Sequence, residues 1–565
     1  MLHQIYRYAT IFGFKIITLM KKIYFLISCF LLLIIYNVNA QQKNNNASQT
    51  RRPKLVVGLV IDQMRWDYLY RFSNLYGQDG FKRLLNHGFS CENTMIPYVP
   101  TYTAPGHASI YTGSVPAIDG IIGNFWYDKS INASVYCTDD STVSGTGTTS
   151  AAGKMSPKNL WVTTITDELR LSNNFKSKVI GIAIKDRGAI LPAGHSANAA
   201  YWFDAGKWVT SSHYMAALPA WVNDFNKKDE AGNFMSKNWN TLLPIEKYTL
   251  STNDDKPYEG TIPGEQKNTF PHKLAQITTG KYEAFKYTPF AATFTFDFAK
   301  RAIENEQLGE NTVTDFLAVS ISSTDYTGHA FGGNSIEIED TYLRLDKDIA
   351  DFLNYLDAKM GKGNYLLFLT ADHGVAHNPS FAAEHKIPGG SFSGTDLAAE
   401  LNKKIEETFT IKKAVVSLQN YQVYLDNNEI SKPGRDADAV KKLVLKTLKE
   451  KDFISNAFDL KRLAPETLPE PLKKMIGNGF NDKRSGDIQF IPKAGYLDGF
   501  AKGTTHGLWN PYDAHIPLLW FGWNIQPGKT NRETYMTDIA ATLASMLHIQ
   551  MPSGCVGQPI EAVIK

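Results

Sequence analysis

The chain has 565 residues, of which 43% are hydrophobic and 20% charged, an ordinary composition for a globular protein. Its aromatic content of 12%, its non-periodic glycines and its four cysteines exclude a disordered chain, a collagen and a disulfide-stapled miniprotein. Residues 1–40 hold four basic residues and no acid, so the rest carries 55 basic against 56 acidic residues. This near-neutral body lacks the basic excess of nucleic-acid-binding proteins, so we expect no nucleic acid partner and favour small-molecule chemistry.

An export signal is predicted at the start of the chain. A lysine pair at 21–22 precedes an apolar run, 23–36, and then a small residue and a polar stretch, so 1–40 has the pattern of a secretory signal peptide. Met20 is a candidate translation start, because the signal is complete from there. The run is shorter than the ~20 residues of a membrane-spanning helix. We therefore expect a periplasmic or secreted protein with no stable membrane insertion after cleavage.

The cysteines give no sign of a metal-thiolate site. Cys29 lies inside the signal and offers lipoprotein cleavage as an alternative, although that cut would leave an apolar mature end. Cys91, Cys137 and Cys555 remain after cleavage, so at most one internal disulfide can form, and its pairing stays open. None of them lies in a C-x-x-C pair, and we interpret all three as structural.

Apolar runs and amphipathic segments alternate after a polar linker at 41–52, and we predict one catalytic domain over 53–565. The runs are typical of buried parallel strands, and polar residues follow them. They are Lys54–Ile61, Val179–Ile184, Asp315–Ile321, Tyr365–Ala371 and Ile516–Gly522. The alternation predicts an α/β fold, a central mostly parallel sheet sandwiched by helices, whose ligands bind beyond the carboxyl ends of the strands.

Two long segments interrupt this alternation, at about 195–290 and 385–500. We predict that both are inserted cap subdomains, because structureless connections of such length are uncommon inside a compact domain. The second segment contains a lysine-rich helical pattern at 437–451, which we interpret as a solvated helix face.

Six aspartate and histidine residues fall at the ends of predicted elements, where they could bind metal: Asp62, Asp325, His329, Asp372, His373 and His506. Mixed Asp and His ligands suit Zn²⁺, although such sites also accept Mn²⁺ or Co²⁺. Asp325 and His329 are four residues apart and can reach one ion from a helix, and Gly374 permits the turn that Asp372 and His373 would need. Six ligands divide into two sites of three, and a metal pair ~4 Å apart clamps both oxygens of a phosphoryl transfer.

A hydroxyl nucleophile is predicted at Thr103. This threonine precedes Pro105 and a short helical pattern that Gly113 closes, so its hydroxyl would lie at a helix N-terminus. Backbone N–H groups and the helix dipole favour an anion at that place. Thr101 as the nucleophile, and Thr103 as a mere helix cap, are the alternatives.

Seven sequence motifs contain these candidate residues or lie between them: VIDQMRWDYLYRF, TYTAPGHASIYTG, GIIGNFWYD, IAIKDRGAI, STDYTGH, TADHG and TTHG. In this order they resemble the alkaline phosphatase superfamily, and specifically its threonine-nucleophile, phosphate-irrepressible alkaline phosphatases (PafA type). The resemblance covers essentially all of 53–560. It implies an alkaline phosphatase-like α/β fold and a zinc-dependent phosphomonoester hydrolase that releases inorganic phosphate through a phosphothreonine intermediate at Thr103.

The resemblance also implies which residues form the site, with two zinc ions per chain. Its first ion is bound by Asp325, His329 and His506, and its second by Asp62, Asp372 and His373, with Thr103. Asn124 would contact a phosphoryl oxygen. Lys185 and Arg187 match the family's cationic pair, and on an extended chain residues i and i+2 face one way, so both could meet non-bridging oxygens. Such a pair favours dianionic monoesters.

Three other functions fit the sequence less well. The nearest rival is a nucleotide pyrophosphatase/phosphodiesterase of the same superfamily, which Lys185 and Arg187 disfavour because a diester carries one fewer charge. A sulfatase is disfavoured because no C/S-x-P-x-R context occurs. An inactive metal-stabilised binding protein is the remote alternative, since no site position is lost. We expect small-molecule phosphate monoesters as substrates and a monomeric protein.

Four further histidines lie near the motifs. We interpret His107 and His515 as packing residues or as supports of the ligands. The sequence indicates no role for His377 and His385.

Overall fold

The computed structural model describes residues 16, 17, 19–29, 52–499 and 501–564. The chain divides into two compact units, Met1–Arg52 and Pro53–Lys565. In the first unit residues 16, 17 and 19–29 are helical. Most of the predicted export signal, with its cleavage region, and the predicted linker apart from Arg52 lie outside the described residues. In the part of the chain that is described, no helix is both long enough and apolar enough to cross a membrane.

The second unit is built on an eleven-stranded sheet. The strands, in chain order, are β1 (Leu55–Ile61), β2 (Phe89–Met95), β3 (Phe125–Asp128), β4 (Ala133–Tyr136), β5 (Gly145–Thr146), β6 (Val179–Ala183), β7 (Ala199–Asp204), β8 (Lys207–Ser211), β9 (Asp315–Ile321), β10 (Tyr365–Thr370), β11 (Gly390–Phe392), β12 (Val415–Gln419), β13 (Gln422–Leu425), β14 (Ile454–Asp459), β15 (Ile488–Pro492), β16 (Tyr496–Asp498), β17 (His515–Ile516), β18 (Leu518–Gly522) and β19 (Gly528–Tyr535).

The α-helices of this unit are α1 (Tyr68–Arg71), α2 (Phe81–His87), α3 (Thr103–Thr112), α4 (Pro116–Asp119), α5 (Ile165–Leu171), α6 (Asp186–Ala193), α7 (Ala220–Lys227), α8 (Glu230–Met235), α9 (Lys281–Phe285), α10 (Phe290–Asn305), α11 (Ser323–Phe331), α12 (Ile336–Met360), α13 (Pro379–Glu384), α14 (Gly394–Phe409), α15 (Asn427–Ile430), α16 (Ala437–Lys449), α17 (Glu470–Gly479), α18 (Pro511–Ala514), α19 (Asp538–Leu547) and α20 (Glu561–Ile564).

The large sheet has the order β17-β2-β18-β10-β1-β9-β6-β7-β8-β5, and β19 also pairs with β2. The five central strands, β10 to β7, run parallel to one another. All residues of β1, β9 and β10 are buried, as continuous apolar runs predict for strands covered on both faces. The predicted α/β fold with a mostly parallel central sheet is confirmed.

One predicted strand runs the other way. The apolar run at 516–522 was predicted among the parallel strands, but β18 pairs antiparallel with β10, with Leu518 opposite Thr370. Buried parallel and antiparallel strands have the same apolar pattern, so the run itself does not determine its direction.

The two predicted insertions differ in structure. In the first, β7 and β8 extend the central sheet, so the boundary of about 195 lies too early. The second contains a separate antiparallel sheet of order β12-β13-β15-β14, and α14 and α16 share its buried core. In α16 the apolar residues Val440, Val444 and Leu448 are buried, which agrees with a helix that has one solvated face.

The four cysteines are free thiols. Burial raises the pKa of both Cys91 and Cys137 to about 12, so neither forms a reactive thiolate near neutral pH. Their surroundings agree with a structural role.

Candidate active site

Four neighbouring strands of the sheet bring four site residues to one edge. Asp62 directly follows β1, Asp372 lies two residues after β10, and Lys185 follows β6 closely. Asp325 lies in the first turn of α11, which begins just after β9. Because parallel strands end at the same edge of a sheet, residues far apart in sequence converge there.

The first group of candidate metal ligands consists of Asp62, Asp372 and His373, whose ligand atoms lie within 4.8 Å of one another. Nε2 of His373 is 3.5 Å from Oδ1 of Asp62 and 3.4 Å from Oδ2 of Asp372. The Oγ1 atom of Thr103 is 3.3 Å from the same nitrogen. All four side chains are buried. Gly374 is needed here because a Cβ would lie 2.2 Å from the carbonyl oxygen of Tyr512.

The second group forms around Asp325. Asp325 and His329 both lie in α11, and Nε2 of His329 is 3.1 Å from Oδ1 of Asp325. Nε2 of His506 is 3.7 Å from that oxygen. The rings of His506 and His373 stack with centroids 3.5 Å apart, and Asp325, His373 and His506 also have ligand atoms within 4.8 Å of one another. His373 therefore lies between the two groups, which are adjacent rather than separate.

Three histidines, His329, His373 and His506, are oriented in the same way. In each ring Nδ1 lies 2.7 to 3.0 Å from a backbone carbonyl oxygen. The tautomer with its proton on Nδ1 donates a hydrogen bond to that oxygen. The carbonyl groups belong to Thr504, Gly374 and Thr101, respectively. Nε2 then faces the carboxylates, an arrangement typical of metal-binding histidines.

The carboxylates of the two groups share a lysine. Nζ of Lys185 is 2.7 Å from Oδ2 of Asp62 and 2.5 Å from Oδ2 of Asp325. Burial raises the pKa of Asp62 to about 6, against the opposing charge of Lys185. Burial and the neighbouring Asp62 raise the pKa of Asp372 well above its usual range. Burial alone would raise the pKa of Asp325, but the charges of His329 and Lys185 hold that pKa well below the usual value.

These residues fit a bound cation. Oδ1 of Asp62 and Oδ2 of Asp372 are buried and accept no hydrogen bond from the described residues. Buried carboxylate oxygens without partners are costly unless a cation neutralises them. Burial also lowers the pKa of His506 to about 3, so its ring is neutral, which is the form that binds metal. The Asp and His donors suit Zn²⁺.

Thr103 is the first residue of α3, as predicted. Oδ1 of Asn124 accepts a hydrogen bond from the backbone N–H of Ala104 at 2.9 Å, which fixes the amide beside Thr103. A Cβ at Gly106 would lie 2.5 Å from the carbonyl oxygen of Asp372, so this glycine lets α3 approach the end of β10. Thr101 donates its hydroxyl to the carbonyl oxygen of Leu508 instead, at 2.8 Å.

The cationic pair has a different backbone from the one expected. Lys185 is the N-cap of α6 and Arg187 lies in its first turn, so the argument from an extended chain is wrong for this pair. One Nη of Arg187 donates to the hydroxyl of Tyr136 at 3.0 Å, and that hydroxyl donates to Asp186 at 2.7 Å. Tyr136 ends the β3–β4 hairpin, which begins directly after Asn124. The hairpin therefore connects two predicted phosphate contacts.

Sequence reasoning missed Gln63 and Tyr136. Gln63 donates its side-chain Nε2 to Oδ1 of Asp325 at 2.7 Å and its backbone N–H to Oδ1 of Asp372 at 3.1 Å. No spacing rule marks a glutamine as a site residue, and only its position beside Asp62 in the first motif could have indicated it.

The remaining histidines lie at different distances from the site. Nδ1 of His107 is 3.4 Å from Oδ2 of Asp372, as a support of a ligand would be. The ring of His515 stacks on Trp66 with centroids 4.7 Å apart. His377 contacts Asn334 outside the ligand groups, with Nδ1 2.7 Å from the amide oxygen.

Comparison with known proteins places this site in a family. Residues 56–513 match the family described as type I phosphodiesterase / nucleotide pyrophosphatase. Alkaline phosphatase PhoV of Synechococcus elongatus is 51% identical over 547 residues, which are 95% of this chain and 99% of that protein. A protein of Myroides odoratus named calcium-transporting ATPase is 54% identical over 526 residues, 92% of this chain and 96% of its own length.

The crystal structure of wild-type alkaline phosphatase PafA superposes with a TM-score of 0.89 and 51% identity, covering 91% of this chain and 99% of that one. A solved PafA variant carries substitutions of a threonine, an asparagine, a lysine and an arginine.

The chain therefore belongs to the type I phosphodiesterase / nucleotide pyrophosphatase family. Within that family it groups with the alkaline phosphatases of the PafA and PhoV type. The resemblance carried by the seven motifs is thus confirmed.

Proposed function

We propose that this protein is a zinc-dependent phosphomonoester hydrolase that releases inorganic phosphate through a phosphothreonine intermediate. One observation carries the proposal. The Thr103 hydroxyl lies at the N-terminus of α3 and 3.3 Å from Nε2 of His373, beside two adjacent groups of Asp and His ligands. A nucleophile, cation ligands and the positive end of a helix dipole therefore meet at one place.

The proposed ligands of the two zinc ions are Asp325, His329 and His506 for one, and Asp62, Asp372 and His373 for the other, with Thr103. When bound, zinc supplies positive charge and Lewis acidity to the reacting oxygens. The ligand set also accepts Mn²⁺ or Co²⁺, so metal analysis of the active protein is required.

The chain's own residues account for the bond changes. Oγ1 of Thr103 gives its proton to solvent water and attacks phosphorus in line, the bond to the leaving oxygen breaks, and the alcohol departs with a proton taken from water. A water molecule then attacks the phosphothreonine, releases inorganic phosphate and restores the Thr103 hydroxyl. The Nδ2 group of Asn124 and the guanidinium of Arg187 offer donors to the non-bridging oxygens during both steps, and the dipole of α3 adds positive potential there. Stabilisation of this charge is mainly electrostatic.

The cationic pair, Lys185 and Arg187, favours phosphate monoesters over diesters as substrates. A monoester dianion carries one more charge than a diester, so Lys185 and Arg187 gain more from it. Lys185 contacts Asp62 and Asp325 here, and cations bound by those carboxylates would compete with it and turn its ammonium toward the substrate. We propose small-molecule phosphate monoesters as a broad substrate class.

A phosphodiesterase or nucleotide pyrophosphatase is the second candidate, because the matching family is named for those activities. The deciding measurement is kcat/KM for an aryl phosphate monoester and for its methyl diester at pH 8, with zinc-loaded protein. We expect the monoester to be favoured by orders of magnitude. The Lys185→Ala/Arg187→Ala double variant should reduce that preference at least tenfold.

Each result has a distinct meaning. A preference for the diester would move this chain to the phosphodiesterases. Activity on neither ester would favour an inactive metal-stabilised binding protein and reopen the metal assignment.

We also propose that the protein is periplasmic or secreted and monomeric. The lysine pair at 21–22 and the apolar run behind it support export. Amino-terminal sequencing of the protein from its cells would show whether residues 1–40 are removed, and light scattering would give its mass in solution.

A further inference from the structure

One residue, Gln63, contacts a carboxylate in each of the two groups of candidate metal ligands. Its Nε2 atom is 2.7 Å from Oδ1 of Asp325, and its backbone nitrogen is 3.1 Å from Oδ1 of Asp372. Gln63 directly follows Asp62 and is only 2% exposed. It is therefore covalently attached to one ligand and hydrogen-bonded to two others.

The backbone of Gln63 is unusual. Its φ of 65° lies in the left-handed region, which residues with a side chain seldom occupy unless the surroundings enforce it. In this conformation the backbone N–H reaches Asp372, beyond the end of β10, and the side-chain amide reaches Asp325 in α11. Gly328 leaves room for the amide, because a Cβ at that position would lie 1.9 Å from Oε1 of Gln63. Gln63 and Gly328 are thus matched in shape.

We propose that Gln63 is a positioning residue that fixes Asp325 relative to Asp372 and thereby sets the affinity of both groups for metal. This inference rests on the two-metal site of the proposed function. A neutral amide donor can orient a ligand carboxylate without competing for its charge. Residues that orient metal ligands in this way typically contribute 10- to 100-fold to metal affinity.

The variant Gln63→Asn tests this role. Asparagine tolerates the left-handed backbone and keeps the backbone N–H donor, but it is one methylene shorter and so withdraws from Asp325. Gln307→Asn is the matched control, because Gln307 also has a left-handed backbone, with φ of 55°, and is exposed. Zinc per chain would be measured by elemental mass spectrometry after dialysis at buffered free zinc concentrations.

We expect Gln63→Asn to require about 10- to 100-fold more free zinc to hold two ions, and Gln307→Asn to match the wild type. The melting temperatures of the zinc-free wild type and Gln63→Asn should agree within a few degrees. A variant that merely loosened the fold would lower that temperature as well, and such a result would overturn the positioning role.

A double-mutant cycle gives a second measurement. Gly328→Ala should displace the Gln63 amide and weaken zinc binding by itself, and in combination with Gln63→Asn it should add little. Wild-type zinc affinity in Gln63→Asn, or in Gly328→Ala if the first variant does not fold, would overturn the inference, as would additive effects. A wild-type protein that binds no zinc would instead overturn the proposed function.

Discussion

The two groups of candidate metal ligands differ in what supports them. Asp62, Asp372 and His373 follow two central strands and are all 0% exposed. In the second group, Asp325 and His329 lie on a helix, His506 lies on a loop, and the His329 side chain is 29% exposed. The buried group borders Thr103, so it is suited to activating this proposed nucleophile in a dry setting. In the proposed reaction, the open group is the one nearer to the solvent that the alcohol leaves into and the water comes from.

The largest expected effect lies on the buried side. Thr103→Ala removes the proposed nucleophile, and we expect kcat/KM for an aryl monoester to fall by about 10⁴-fold or more. Zinc content should stay at two ions per chain, because six ligands remain. Thr101→Ala is the control and should stay within about tenfold of the wild type, since its hydroxyl donates to the Leu508 carbonyl group. Near-normal activity in Thr103→Ala would show that another group attacks phosphorus.

The comparison predicts unequal losses when one ligand is removed from each group. Asp62→Asn replaces a buried, charged ligand with a neutral amide at a place that bulk water does not reach, and we expect about a 10³-fold loss of kcat/KM. His329→Gln should cost about tenfold less, because water can replace an exposed ligand. Kinetics and zinc analysis of both variants would check this order. Equal losses, or a larger loss for His329→Gln, would show that exposure does not distinguish the groups.

The sequence predicted the residues of the site better than their surroundings. Asp62 and Asp372 were found because strong apolar runs end beside them, and Asp325 with His329 because of their spacing. Arg187 was placed on an extended chain from its i, i+2 spacing to Lys185, and Gly188 and Pro192 make the helical pattern of α6 weak in the sequence. Gln63 was missed because its contacts depend on backbone torsion and on strands distant in sequence.

The same limit explains the misplaced start of the first insertion. The β7–β8 hairpin turns at Ala205 and Gly206, both with positive φ, and Ala205 does not carry the usual Asn or Asp signal for such a turn. Pairing of β7 with β6 joins residues of an earlier strand, which local pattern does not reveal. Local rules therefore identify strand ends well and sheet edges poorly.

A smaller effect is expected at the β3–β4 hairpin, which connects the proposed phosphate contacts Asn124 and Arg187. Tyr136→Phe removes the hydroxyl that holds Arg187, so KM for monoesters should rise about five- to tenfold while kcat stays within about twofold. The ratio of monoester to diester activity should fall by a similar factor. Tyr127→Phe removes a hydroxyl from the same hairpin and should leave both constants unchanged. A change in kcat alone would mean that Tyr136 acts on the chemical step rather than on Arg187.

The smallest effect concerns a support of the open group. His272 is buried, with Nδ1 2.8 Å from a carboxylate oxygen of Glu265 and Nε2 3.3 Å from one of Glu337. Burial alone would lower the pKa of His272, but the carboxylates of Glu265 and Glu337 raise it to about 9. Its ring packs edge-on against Phe331 of α11, with centroids 5.4 Å apart. The helix that carries Asp325 and His329 thus has a pH-sensitive neighbour.

Because the folded-state pKa of His272 lies above its unfolded value, its contribution is fully present below about pH 6.5 and is lost as the pH rises through 9. We expect the free energy of unfolding of zinc-free protein to fall by on the order of 2 kcal/mol between pH 7 and 10. Burial and Glu337 raise the pKa of Glu259 to about 9. Ionisation of this carboxyl group therefore also lowers the free energy of unfolding as the pH rises. His272→Gln should flatten this dependence in urea titrations. If the slope persists unchanged in that variant, the pH sensitivity lies elsewhere, and the open group differs from the buried one in exposure alone.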